Sequence, residues 1–559
     1  MAVSTSAVSP GTAVATASSV AYESNEIIIA ATATAPAQRI HDDEILFIVR
    51  RQEQDGQPEL YHVCWLREPT PAAAAASGDD SAQQDQSSAS SAPPSPPPFA
   101  FCTTVLDESV AKVLPKGVLR RHLLADIAPV FQEDDGSLSP SSSSLHVIVS
   151  TRSGLGQAQA FYDAVLKPLL GVFGLAAVTG AGEAVPKGQK SYNLLVTSSS
   201  RSIAEFAQTL GKASAGSTGA PATVVLLSGD GGVVDLLNGV AEQDEDTDVR
   251  QLPAIALLPL GTGNALFHSL HRPDYLAAAA AASASTTEEN TKPAPKGPSS
   301  FVLGLRALFK GHAAPLPNFE ARFSPGSHTV SYSLQEEEGK EAALKEQAEN
   351  VDKLRGAIVA SYGFHAQLVW ESDTPEYRKH GDKRFGMAAQ ELLKVSHAYD
   401  ADVRFVKAGA TVAAPNRLGR RFNYVLATMV SNLEKTFTIS PASEPLDGQL
   451  RLVHFGDVGG AKTMDIMMAA YNNGAHVGMT WPSPAGDKPA EEAMGDAKEP
   501  AEESVGYDAI DELQVNVLEQ DSRWRKVCID GTIIEIPQGG WMKVRKAPTP
   551  VLQIIVNRD

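Results

Sequence analysis

Four short apolar runs in the middle of this chain each end in a turn of small residues, and a helix-periodic stretch follows each turn. The runs are Leu145–Ser150, Tyr192–Val196, Thr223–Leu227 and Ala254–Leu258. Runs of this length, bounded by turn residues, read as buried strands, and apolar residues at helical spacing follow them. Phe161, Ala164, Val165 and Leu169 make one such face; Ile203, Phe206, Ala207 and Leu210 make another, opened by Ser202-Ile-Ala-Glu205 as a capping box. Strands alternating with helices fold as a parallel sheet, and ligands of such sheets gather at the carboxyl ends of the strands. Those ends hold Gly154 and Gly156, then Ser228-Gly-Asp-Gly-Gly232, then Pro259-Leu-Gly-Thr-Gly-Asn264.

The composition of these turns points to a phosphate. Glycine leaves no Cβ in the way of a close-packed anion, and a helix N-terminus adds positive potential. Asp230 is the lone carboxylate among them. Phosphoryl transfer asks a protein to position groups and neutralise charge, and a carboxylate near an alkyl hydroxyl can accept its proton. The alternative for Asp230 is an Asx-turn or helix cap, and for Gly261–Asn264 a plain strand-to-helix turn.

Bulk properties narrow the class. The 559 residues can hold two cores with insertions, and 43% are hydrophobic. A formal net charge of −19 argues against a nucleic-acid partner. Cys64, Cys102 and Cys528 are too few and too scattered for a disulfide framework or a zinc site, so a reducing, cytoplasmic location is expected. No apolar run reaches the ~18 residues of a spanning helix, and no leader is expected, so membrane association would be peripheral.

Composition shifts divide the chain into a disordered tail over 1–40 and a β-rich segment over 41–136, interrupted by an Ala/Ser/Gln/Pro insertion at 71–98. An α/β domain over 145–275, a linker over 276–300 and a β-rich domain over 301–559 follow. The last domain carries a solvated helical insertion near 335–350 and a low-complexity insertion at 482–504.

With these motifs set out in order, the chain resembles the diacylglycerol-kinase-like catalytic superfamily, and within it the sphingosine and ceramide kinase branch. Ser228-Gly-Asp-Gly is similar to that branch's SGDG loop, with Leu237-Asn238-Gly239 at helical distance. Pro259-x-Gly-Thr-Gly-Asn264 matches a P-x-G-[ST]-G-N loop. Gly363-Phe-His-Ala, Glu371-Ser372, Tyr377-Arg378, Gly381 and Arg384-Phe385 resemble a further stretch, completed by Leu446-Asp447-Gly448 and Ile529-Asp530-Gly531.

The resemblance implies an α/β nucleotide-binding domain of the NAD-kinase or diacylglycerol-kinase type, followed by a β-sandwich lipid-binding domain. It implies a kinase using ATP and Mg²⁺, acting on a sphingoid base, ceramide or diacylglycerol at a membrane surface. Asp230 would be the base. Ser153, Gly154, Gly229, Gly231, Gly261, Thr262, Gly263 and Asn264 would hold the nucleotide, Arg378 and Arg384 its phosphates, and Asp530 would approach the phosphate or metal. No metal ligands are assigned.

The chain departs from that pattern at four places. Ser150-Thr151 replace Asn-Pro before Gly154. Gln367 and Val369 stand where sphingosine kinases carry acidic residues, Thr532 replaces the last Glu, and Asp235 replaces Glu on the helix after Asp230. These substitutions leave open a lipid- or nucleotide-binding protein of the same fold without turnover. A soluble-metabolite kinase of the NAD-kinase or phosphofructokinase kind shares the Gly-Asp-Gly turn.

Arg378 and Arg384, six apart, need a bend at Gly381 to face one ligand, and the other reading for them is a solvated basic face. His268, His365 and His380 lack metal-ligand spacing. Arg523-Trp-Arg-Lys526 and Trp541–Lys546 pair tryptophan with cations, as interfacial anchors and solvated strands both do.

Overall fold

The computed structural model describes residues 14–31, 36–51, 59–68, 99–124, 145–179, 190–214, 221–240, 248–285, 297–335, 343–381, 383–410, 415–482 and 502–557. At its centre is a seven-stranded sheet. In spatial order its strands are His312–Pro315, Gln553–Val556, Ala254–Pro259, Thr223–Ser228, Leu145–Val149, Lys190–Val196 and Leu175–Val178. All neighbours run parallel except the edge pair His312–Pro315 and Gln553–Val556. Strand Thr223–Ser228 is buried along its whole length, as a central strand covered on both faces must be. The chain leaves Leu145–Val149 toward one edge and later returns on its other side at Thr223–Ser228, so strand order reverses between these two. Ligand crevices of open α/β sheets form at such a reversal.

The sheet extends beyond the expected 145–275. Helix Ser300–Lys310 packs on it, and the last strand of the chain, Gln553–Val556, pairs in parallel with Ala254–Pro259. An apolar run alone does not say which sheet it joins, so the sequence put this strand in the wrong half. The expected linker is also partly helical, over Arg272–Ser285. Its alanine run has the highest helix propensity of any residue type.

The tail expectation fails over its described part. Val20–Glu23, Glu26–Ile29 and Gln38–His41 form a three-stranded sheet turned by Ser24 and Asn25, both at positive φ. Ile27 and Ile40 are fully buried, in a core with Trp65 and Leu106. A few β-branched residues made this sheet inside a composition that looks unstructured. Next to it Ile45–Arg51, Leu60–Arg67 and Ala100–Asp107 pair as antiparallel strands. Phe47 meets Phe309, and Phe99 meets Phe161, at 5.1 and 5.2 Å between ring centres. This N-terminal unit is therefore packed on the outer helices of the central sheet. The expected insertion at 71–98 lies outside the described residues.

The remaining strands form one thirteen-stranded network in which every pair is antiparallel. Three long helices accompany it, Phe364–Ser372, Lys383–Val395 and Gly459–Tyr471. Where a helical insertion was expected, strands His328–Gln335 and Ala343–Asn350 make a hairpin. Pairing across its full length outweighs the helix-favouring composition. At the second insertion Thr480–Pro482 pairs with Glu502–Ser504, and the chain between them lies outside the described residues.

The two halves share one core, which runs from Val233, Leu236 and Leu237 to Phe319, Tyr362 and Leu426. Polar contacts pin the seam. The Asn238 side chain donates to the Arg355 carbonyl at 3.0 Å and accepts from its amide at 2.8 Å. Arg272 donates to the Pro441 carbonyl at 2.9 Å.

Candidate active site at the strand ends

Three turns meet at adjacent strand ends. The first follows Leu145–Val149 and carries Gly154 at φ +54°. Its Ser153 hydroxyl bonds Ser150 at 2.7 Å and Ser228 at 2.9 Å, which ties it to the second turn. The second and third turns touch through their backbones. A Cβ on Gly229 would lie 2.8 Å from the Gly261 Cα, and one on Gly261 would clash harder still with Gly229. Only two glycines allow that approach. Asn264, buried and left-handed at φ +52°, closes the third turn: its Oδ1 accepts from the Gly261 amide at 3.0 Å and its Nδ2 donates to the Gly261 carbonyl at 2.9 Å.

Asp230 sits where these turns meet, at the start of helix Asp230–Gly239. Its carboxylate accepts from the Ala265 amide at 2.7 Å and the Leu266 amide at 3.1 Å, the first two of helix Ala265–Leu270. This side chain therefore caps the neighbouring helix rather than its own. Burial pushes its carboxyl up, and the two amides pull it back toward the charged form. Gly263 lies beside it: a Cβ there would come 3.8 Å from Asp230 Oδ2 and 3.4 Å from the Leu433 carbonyl of the β-rich half. Gly231 faces open space. One turn further along the same helix, burial raises the Asp235 carboxyl to about 6.

Asp530 comes from the other half. Left-handed at φ +47° and buried, it accepts from the Ala357, Ile358 and Val359 amides, the shortest at 2.6 Å. Burial raises it to about 7 against the pull of those amides, and the Asp230 charge adds to the rise. An apolar crevice lined by Leu266, Leu316, Ala357, Met429 and Leu446 lies beside the residues whose amides hold the two carboxylates.

The arginine segment turns as its spacing requires. The chain bends at Gly381, φ +57°, between short helix Pro375–Arg378 and helix Lys383–Val395. Both guanidinium groups reach Asp373: Arg378 through Nε at 3.1 Å and Nη2 at 2.6 Å, and Arg384 through Nη1 at 2.9 Å. The Arg384 Nε is buried without a partner, and burial lowers this guanidinium. A Cβ on Gly381 would lie 3.2 Å from Leu155, the residue after Gly154. The bend thus leans on the first glycine turn.

Asp373 and the Ala265 and Leu266 amides were not singled out from the sequence. The only signal was Asp373 standing five residues before Arg378.

Other singled-out residues are spent inside the fold. His268 bonds Tyr275 at 3.1 Å and His365 bonds Ser361 at 2.7 Å; burial lowers them to about 3 and about 4. Gln367 donates to Glu371 at 2.7 Å, and Glu371 in turn pairs with Arg523. In the first tryptophan cluster Trp524 is buried against His397 and Lys526 against Glu535, while Arg523 stays exposed. Trp541–Lys546 is a strand within the large network.

Among the described residues no helix is long and apolar enough to cross a membrane. No group of three or more His, Cys, Asp or Glu side chains among them could hold a metal ion. A Mg²⁺ ion bound with a nucleotide takes one or two carboxylates and completes its shell with phosphates and water, so a cluster of three such side chains is not required.

Residues 144–295, which contain all three turns, match the diacylglycerol kinase catalytic domain. The likeness to the diacylglycerol-kinase-like superfamily is carried by this segment. A 57-residue stretch is 41% identical to sphingosine kinase B of Dictyostelium discoideum, covering 10% of this chain and 7% of that protein. The chain thus spans a small fraction of that relative's length. A crystal structure of a diacylglycerol kinase from Bacillus anthracis str. Sterne overlaps 74% of this chain and 96% of its own, at 12% identity and a TM-score of 0.37. A likeness of that size fixes no detail of the site.

Proposed function

We propose that the protein is a lipid kinase that transfers the ATP γ-phosphate to a hydroxyl of a sphingoid base or a related lipid such as ceramide or diacylglycerol. The observation that carries this reading is Asp230, a single carboxylate set among three mutually packed turns at neighbouring strand ends. ATP supplies the phosphoryl group, and Mg²⁺ spreads the charge that develops on it.

The chain's own residues would divide the remaining work. Asp230, held by the Ala265 and Leu266 amides, would take the proton from the lipid hydroxyl. Burial brings its pKa nearer to working pH, which suits a base. Ser153, Gly154, Gly229, Gly231, Gly261, Thr262, Gly263 and Asn264 would line the phosphate path, with Gly231 on its open side. Arg378 and Arg384 would move from Asp373 to the phosphates, a planar fork exchanging one anion for another. Asp530 would order the 357–359 backbone facing Asp230. The β-rich half would hold the lipid, with the protein working peripherally at a membrane surface.

The test is purified protein with labelled ATP and a panel of sphingoid bases, ceramide and diacylglycerol. Phosphate transfer to at least one lipid, lost in Asp230→Asn, is expected. A folded protein that labels none of them would overturn the proposal.

A second reading has its own support. Both arginines pair with Asp373, with only the Arg384 Nε left over, and Asp230 and Asp530 each hold backbone amides, so each charged group named here has an internal partner. A binding protein of this fold would look the same. It would bind nucleotide or lipid equally well with Asn at 230.

A further inference from the structure

Away from the glycine turns, a broad cleft opens between the N-terminal unit and the helices Arg272–Ser285 and Ser300–Lys310. Arg120, Arg121 and His122, from the last turn of helix Lys116–His122, line one side, and Arg306 and Lys310 line another. The acidic residues of the cleft are already engaged. Asp42 is paired with Arg121 at 2.6 Å, Asp43 with His41 at 3.4 Å and Asp274 with His271 at 2.9 Å.

Three of the four cations that line the cleft form no direct ion pair, although the Asp42, Asp43 and Asp274 charges act on Arg306. Arg306 donates only to the Ile45 and Asp42 carbonyls, and Lys310 to the Arg121 carbonyl at 2.6 Å. Neither they nor Arg120 forms an ion pair among the described residues. Burial lowers the Lys310 ammonium, and the Arg306 charge lowers it further. His122 is left short of a partner as well. Its side chain is buried, and Nε2 has no partner. Burial first, then Arg306, Lys310 and Arg121, press it down to about 3, so it stands neutral at pH 7 with one N–H to give. Asp42 Oδ1 is likewise buried with nothing donating to it.

We infer that this cleft is a second anion site, built for a phosphate group, either free or as the head group of an acidic lipid. Arg120, Lys310 and Arg306 supply the missing countercharge, and a phosphate oxygen gives the His122 N–H the acceptor it lacks. A protonated phosphate oxygen can in turn donate to Asp42 Oδ1, a pairing that a sulfate or a carboxylate cannot offer at neutral pH. Such charge-assisted bonds are the strong ones for phosphate recognition. The site rests on residues outside the glycine turns and does not depend on the catalytic reading.

The experiment titrates the full chain with inorganic phosphate by calorimetry. In parallel it measures co-sedimentation with phosphatidylcholine vesicles, with and without phosphatidic acid. Arg120→Glu and Lys310→Gln are each compared with the parent after melting curves show that they fold. Arg120 is exposed and holds nothing else in place, so at least that variant tests the cleft rather than the fold. Saturable binding of one probe, weakened about tenfold or more in either variant, is expected for loss of a charged partner. Phosphate binding identifies a free ligand, and binding only to acidic vesicles identifies a head group. The inference is overturned if neither probe binds, or if binding is the same in both variants and the parent. Because the parent-to-variant difference reports the cleft alone, anything bound at the glycine turns does not disturb it. A failure here leaves the lipid-kinase assay unaffected.

Discussion

The three glycine turns and the arginine segment face the same end of the molecule but are built in opposite ways. The turns are made by backbone: Gly229 lies against Gly261, Gly154 lies against the Leu260 carbonyl, and Asn264 closes its own loop with two hydrogen bonds. The arginine segment is made by side chains, two guanidinium groups gathered on Asp373. Backbone packing leaves few alternatives, so the turns are set before any ligand arrives. The Arg378 pair is exposed, and exposed ion pairs contribute little and exchange readily, whereas Arg384 is more enclosed. On the proposed reading one region would be a fixed mould and the other a movable clamp.

The largest effect is expected where the mould is tightest. Gly261→Ala puts a methyl group into the Gly229 backbone. It should cost stability near the top of the ~1–3 kcal/mol range for overpacking and abolish nucleotide binding, read by melting and by titration with ATP. A well-folded variant that still binds would show that the turns are not a rigid mould.

Asp230→Asn should come next. Loss of a general base removes ~10²–10⁴ in rate; stability should fall as well, by about 1–3 kcal/mol, since the Asn oxygen replaces only one of the two oxygens that the Ala265 and Leu266 amides use and its NH₂ faces the other amide. Equal turnover in parent and variant would reduce Asp230 to a helix cap. The pH profile sharpens the point. A base must be ionised, so turnover should rise with pH through a midpoint above the ordinary Asp value of 3.8, because burial raises this carboxyl.

The clamp predicts a gain. Asp373→Asn frees both arginines from their carboxylate, so the KM for ATP should fall a few-fold with kcat little changed. Arg384→Ala should reverse that gain more strongly than Arg378→Ala, because Arg384 is the more enclosed, at 15% side-chain exposure against 54%. A KM unmoved by Asp373→Asn would mean that the arginines do not meet the nucleotide.

The smallest effect is on stability alone. Burial raises the Asp235 carboxyl from 3.8 to about 6, so the folded state binds this proton more tightly than the unfolded chain does. Its contribution is fully present below about pH 4 and is lost as pH rises through 6. Asp235→Asn should flatten that part of the denaturation curve between pH 4 and 6. An unchanged slope would mean that the carboxyl is better solvated than its surroundings imply.

Much of the mould was legible in the sequence. Apolar runs followed by glycine turns gave the strands, the parallel sheet and the end at which Asp230 stands, because periodicity and turn chemistry are local properties. The sequence also marked Gly381 as a bend. Elsewhere the same reasoning misled. Residues 1–40 read as a tail although Ile27 and Ile40 fill a core with Trp65, and 335–350 read as a helix although its described ends form a hairpin. In both cases a partner strand decided the outcome.

By itself the sequence determined the strand-turn-helix order, the glycine positions and the presence of Asp230, Arg378, Arg384 and Asp530. Only the tertiary structure decided that Gln553–Val556 completes the central sheet and that Asp373 gathers the arginines. It also decided that Asp230 caps a helix begun thirty-five positions later. The reason is physical. Local patterns set which backbone shapes are cheap, whereas the partner of a charge or a strand edge is chosen by packing between segments far apart along the chain.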